Sequence, residues 1–161
     1  MTKSTNMELT RDYSVFIEEF LDINIDPTTF SHLDHIGVGF EMLKKFEFLM
    51  AVQIFSESLN AIVIGEEEGE KFNLTITLAM MSIISERMLP GEEVEDFIEA
   101  NTDLLDKNFL MQYYTQARLH SFLAHGMFLM PDIKPFSEPH ALLMIKRTGP
   151  SSSQDLIYQT S

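Results

Sequence analysis

The sequence predicts an all-α fold, a single-domain bundle of five or six helices closed by an irregular Pro-rich C-terminal wrap, and three observations lead there. Apolar residues recur three and four positions apart along most of the chain, the spacing of one helix face. Capping residues and Pro or Gly breakers punctuate those stretches, as at Ser31 and Pro90-Gly91. The 161 residues are 45% apolar, with thirteen Phe and eleven Met, and a chain of that size buries roughly two-thirds of its unfolded surface. No fixed-spacing repeat and no linker divides it. Residues 1–10 read as a flexible arm, 11–147 as the helical domain, and 148–161, rich in Gly, Pro and Ser, as a flexible tail.

Asp12 caps a first helix whose inner face carries Val15, Phe16, Phe20 and Ile23, ending before Asp26-Pro27. Ser31-His32-Leu33-Asp34 is a capping-box pattern that starts a second helix, running to about Lys45. A third covers roughly 47–64 and stops at Gly65, where the acidic stretch 66–70 makes a solvated turn. A fourth spans about 71–88, and a fifth begins near Glu92 and carries Val94, Phe97 and Ile98. Asp106 opens a sixth that runs through Tyr113 and Tyr114 to about Leu119. Beyond Ser121 the pattern weakens; Pro131, Pro135 and Pro139 fix the wrap, and Ala141–Ile145 is a short strand or a helical turn.

The second helix carries the most specific signal. On a wheel of ~100° per residue, His32, Ile36, Gly39, Phe40, Met42, Leu43 and Phe46 share one stripe, and His35 falls inside it as well. Asp34, Glu41, Lys44 and Lys45 fall on the opposite, water-facing side. Two imidazoles are thus directed inward, and Gly39 leaves space beside them. An imidazole with its ordinary pKa near ~6.5 donates or accepts protons at neutral pH. The plainer alternative is that each ring satisfies a carbonyl and that Gly37 and Gly39 let another helix approach. On the fourth helix Asn73 and Thr77 also face inward, positioned to bond the imidazoles, a ligand, or one another. Tyr114 supplies a phenol and Arg118 a fork suited to a carboxylate, unless it only forms a surface ion pair.

Phe30-Ser31-His32-Leu33-Asp34-His35, Lys71-Phe72-Asn73-Leu74-Thr75-Ile76-Thr77, Leu104-Leu105-Asp106-Lys107 and the Tyr- and Arg-bearing stretch 113–119 together set a pattern. It resembles a small, largely uncharacterised bacterial family of all-helical proteins with an F-x-H-x-x-H helix, a later K-Y-H-x-T-x-T helix start and an L-L-D-K stretch. The resemblance covers about residues 30–135 and implies no reaction. Where that family has His, this chain has Asn73; three histidines on two helices suit a metal, and an amide is a poor substitute.

Composition excludes several classes. With 25 acidic and 11 basic residues the net charge is −14, which opposes nucleic acid and anionic membrane as partners. The absence of Cys removes disulfides, thiolate metal sites and cysteine nucleophiles. The polar start lacks a secretion signal and no apolar run approaches bilayer length, so a cytoplasmic location is expected. There is no HExxH, GxSxG, GxxxxGK or Glu-x-x-His pair.

Three functions compete. The first is a lyase- or isomerase-type enzyme with no cofactor, in which His32 and His35 move protons while Gly39, Asn73, Thr77, Tyr114 and Arg118 line a small-molecule pocket. The second is an enzyme dependent on a divalent metal held by His32 and His35 with a third ligand from His120, His125 or a carboxylate. The third is a non-catalytic helical ligand carrier or interaction module, whose Phe- and Met-rich surface forms a homodimer or binds a partner helix.

Overall fold

A computed structural model describes residues 11–64 and 72–136. The expected arm, acidic turn and tail, together with Lys71, Pro139 and the run 141–145, lie outside the described residues. Every regular element within them is helical: α1 (Tyr13–Leu21), α2 (His32–Lys45), α3 (Phe48–Val63), α4 (Leu74–Arg87), α5 (Val94–Ala100), α6 (Gln116–Leu119) and α7 (Phe122–Gly126), with short 3₁₀ turns at Pro27–Thr29, Thr102–Leu105 and Phe109–Gln112. Among the described residues no helix is long and apolar enough to cross a membrane.

The helix starts follow the capping chemistry. Asp12 accepts from the Ser14 amide and hydroxyl, 3.0 and 2.6 Å, and those bonds hold its carboxyl below the usual carboxylate range. The capping box is complete at α2: Asp34 Oδ2 accepts from the Ser31 amide at 2.8 Å, and the Asp34 amide donates to Ser31 Oγ at 3.2 Å. α1 ends in a Schellman turn, in which the Asn24 amide donates back to the Glu19 carbonyl at 2.9 Å. The turn needs a left-handed residue, and the chain puts Ile23 there at φ 56°.

α2 is the central helix, packed by α1, α3, α4 and α5. Residues 36–42 are buried without interruption, which is possible only for a helix covered on all sides. This corrects the two-faced wheel: Asp34 is 2% and Glu41 7% exposed. Asp34 accepts from Tyr13 Oη at 2.9 Å and pairs with Arg11 Nε at 3.3 Å. Among the described residues Glu41 Oε1 has no hydrogen-bond partner, and burial pushes that carboxyl above its ordinary value, Lys44 opposing the rise and Glu93, Glu95 and Asp12 adding to it. α1 is rotated relative to its expected face, burying Tyr13, Phe16, Ile17 and Phe20 and leaving Val15 and Ile23 exposed.

Two boundaries also change. α4 begins at Leu74, so Asn73 is its cap rather than a residue of its face. The expected sixth helix is broken into the 109–112 turn and α6, because Thr115 is extended and restarts the helix as a new cap. Its amide and hydroxyl are held by Asp132 at 2.8 and 2.7 Å.

Candidate functional site

The sequence-selected polar residues form two groups, and both spend their hydrogen bonds on the backbone. At the start of α2, His32 Nε2 lies 2.8 Å from the Leu104 carbonyl and His35 Nδ1 lies 2.8 Å from the Ser31 carbonyl. A carbonyl only accepts, so the nitrogen facing it carries the proton in each ring. Both histidines are half-buried, and His35 lies against the Phe30 ring, centroids 4.4 Å apart. The space inferred at Gly39 is taken by α4. A Cβ built there lies 3.2 Å from Met81 Sδ and 3.4 Å from Ile84 Cδ1, so Gly39 is a helix contact. Gly37 is a closer one, its Cβ position 2.6 Å from three atoms of the Tyr13 ring.

The second group gathers where residues 113–136 cross the start of α4. Asn73 uses both ends of its amide: Oδ1 accepts from the Ile76 amide at 3.0 Å, and Nδ2 donates to the Leu119 carbonyl at 2.8 Å. Thr77 Oγ1 donates to the Asn73 carbonyl at 3.0 Å, inside its own helix. Tyr114 Oη donates to the Leu129 carbonyl at 2.8 Å, and Arg118 Nε to the Met130 carbonyl at 2.7 Å. Burial pushes the Tyr114 hydroxyl up to about 12, against the opposing effect of Arg118 and with a further rise from Asp132. Through Nε, Arg118 clamps the backbone at Met130.

Thr75, outside the selected set, and His125, offered by the sequence as a third metal ligand, complete a strap formed by residues 122–133. Thr75 Oγ1 donates to the Met127 carbonyl at 2.6 Å and accepts from the Leu129 amide at 3.1 Å. His125 Nδ1 lies 2.8 Å from the Phe72 carbonyl. Among the described residues, His, Asp and Glu side chains form no group of three or more able to hold a metal ion.

What the strap leaves outside is apolar. Phe122, Leu123, Met127, Phe128, Met130 and Ile133 are all exposed, Phe122 at 90%. The pattern weakens after Ser121 in the sequence, where a single short helical turn, α7, and then irregular chain give no periodicity to show which way these side chains point. A second exposed set, Phe48, Leu49 and Met50, opens α3 beside a broad depression of about 570 Å³ that Phe48 and Met50 line with Leu43, Lys44, Lys45 and Ser85. Both lysines there are already paired, with Glu93 and Glu18 at 2.6 and 2.7 Å.

The fold and the strap define a helical protein with an outward apolar face. Comparison with models of protein families, with characterised proteins and with solved structures finds no match for the chain.

Proposed function

We propose that the chain is a non-catalytic protein-interaction module whose strap, residues 122–133, binds a partner segment that is apolar on one side and basic at its flank. The observation that carries this reading is the outward apolar set on a backbone that is pinned from beneath. A loose apolar loop relieves its exposure by turning inward; here Thr75, Tyr114, Arg118 and the Thr115–Asp132 pair fix the backbone, and the side chains stay in water. Exposed apolar surface of this kind marks interaction sites on soluble proteins. The net charge of −14 attracts a basic partner and repels a second copy, which favours a heterologous partner over the homodimer.

Acid–base catalysis by His32 and His35, with or without a divalent metal, has less behind it. One nitrogen of each ring faces a backbone carbonyl, and Gly39 contributes helix packing instead of a void.

The test is a fluorescence-anisotropy titration with two synthetic amphipathic helical peptides, Leu on one face and either Lys or Glu on the other. The Lys peptide binds with Kd on the order of 10 µM and the Glu peptide at least about tenfold more weakly. Replacing Phe122 and Met130 by Ser weakens the Lys peptide about tenfold, as expected for loss of two apolar anchors. Absence of Lys-peptide binding, or binding indifferent to both substitutions, overturns the proposal.

A further inference from the structure

We propose that the depression between the end of α2 and the start of α3 binds a medium-chain fatty carboxylate, at a site separate from the strap. Leu43 and Phe46, half-buried against the core, form its floor; exposed Phe48 and Met50 form its rim, and Ser85 joins from α4. Its volume of about 570 Å³ lies within the range of small-ligand sites.

The charges select the head group. Lys44 and Lys45 stand side by side in this lining, in a chain with 25 acidic and 11 basic residues. Lys45 Nζ lies 5.8 Å from the centroid of the Phe46 ring, so a positive charge borders the apolar floor directly. A carboxylate on an alkyl chain has the matching arrangement, its anion next to its apolar part. The present partners of the two ammoniums do not block it. Glu93 and Glu18 hold them at 2.6 and 2.7 Å, but all four side chains are open to water, where such pairs contribute little. Each ammonium has three donors, so it takes a second acceptor or exchanges the first. Because α3 begins without a side-chain cap, the positive end of that helix adds to the same attraction. Among the described lining residues only Glu47 opposes an anion. A neutral apolar guest leaves both lysines unused, and a second copy carries the repelling charge of −14.

The test is a titration of the full-length chain, its methionine methyl groups labelled with carbon-13, with sodium decanoate. Met50 lines the depression, whereas Met127 and Met130 are exposed on the strap, so one NMR spectrum reads both surfaces. Met50→Leu, Met127→Leu and Met130→Leu assign the three peaks. The Met50 peak shifts saturably with Kd on the order of 100 µM, while the two strap peaks stay in place over the same range. Octanoate binds about fivefold more weakly, as expected for two methylenes partly removed from water. Lys44→Gln with Lys45→Gln weakens decanoate about tenfold. Glu47→Gln removes no cap bond and strengthens decanoate about twofold, a gain that misfolding does not produce. No saturable Met50 shift, equal shifts at the strap methionines, or octanoate binding as tightly as decanoate overturns the proposal. So does an affinity indifferent to both charge substitutions, or a Met50 shift caused by the Glu-faced peptide in place of decanoate.

Discussion

Gly37→Ala tests how closely α1 and α2 are packed, and its size follows from one distance. A Cβ at Gly37 lies 2.6 Å from Cδ1, Cδ2 and Cε2 of Tyr13, whereas carbon atoms pack at about 3.5–4.0 Å. The ring cannot simply swing away. Tyr13 is fully buried, and its hydroxyl donates to Asp34, which also accepts from Ser31 and pairs with Arg11. Overpacking of this kind costs about 1–3 kcal/mol, and shifting the phenol off a buried carboxylate adds about 1.5–3 kcal/mol. Alanine's greater helix propensity returns up to about 1 kcal/mol. The net is a destabilisation of about 3 kcal/mol, which for a domain of this size lowers Tm by about 6–12 °C. Gly39→Ala is the internal control, because its Cβ meets the flexible Met81 thioether at 3.2 Å and the propensity gain offsets the contact, leaving stability within about 1 kcal/mol. Urea and thermal unfolding followed by circular dichroism measure both. A Gly37→Ala protein as stable as the parent, or indistinguishable from Gly39→Ala, refutes the packing.

Ile23→Gly relieves a left-handed residue at an exposed position and raises stability by about 0.5–1 kcal/mol after glycine's entropic cost, read from the urea midpoint. Asn73→Ala removes the α4 cap and orphans the Leu119 carbonyl; it costs about 2–3 kcal/mol, with Asn73→Ser intermediate because it retains a capping oxygen. Glu41→Gln stabilises the protein at pH 7–8 by about 1 kcal/mol, since it removes a buried charge lacking a partner at Oε1. The folded carboxyl titrates above its unfolded value, so the parent loses stability as pH rises through the folded pKa. The advantage of Gln therefore grows across that window and vanishes below the ordinary carboxylate range, as Tm measured against pH reports.

Capping residues made the helix starts legible: the Asp12 and Ser31–Asp34 caps formed where local chemistry placed them. The core role of Phe16, Phe20, Ile36 and Phe40 followed from helical spacing alone. What the wheel could not show was how many neighbours a helix has. It assigns one wet side to every helix, which holds for Lys44 and Lys45 at the end of α2 but not for its covered middle, where Asp34 and Glu41 are inside. Gly39 looks like empty space in the sequence because a missing side chain gives the same signal whether a cavity lies there or Met81 fills it. At the candidate site, the sequence did identify Asn73, Thr77, Tyr114 and Arg118 as residues with work for their polar atoms. Their partners are backbone carbonyls of residues 73, 119, 129 and 130, and carbonyls carry no residue-type signal. Beyond α7 the strap was illegible for the same reason: irregular backbone is fixed by long-range bonds, as at Thr75 to Met127.

The most direct measurement is the affinity of the basic amphipathic peptide for the parent and for Phe122→Ser, taken beside the Tm of each. Because Phe122 is 90% exposed, the account predicts about a threefold weaker complex, in line with the loss of one of two apolar anchors, and an unchanged Tm. Equal affinities, or a weakened complex that tracks a fall in Tm, would contradict it.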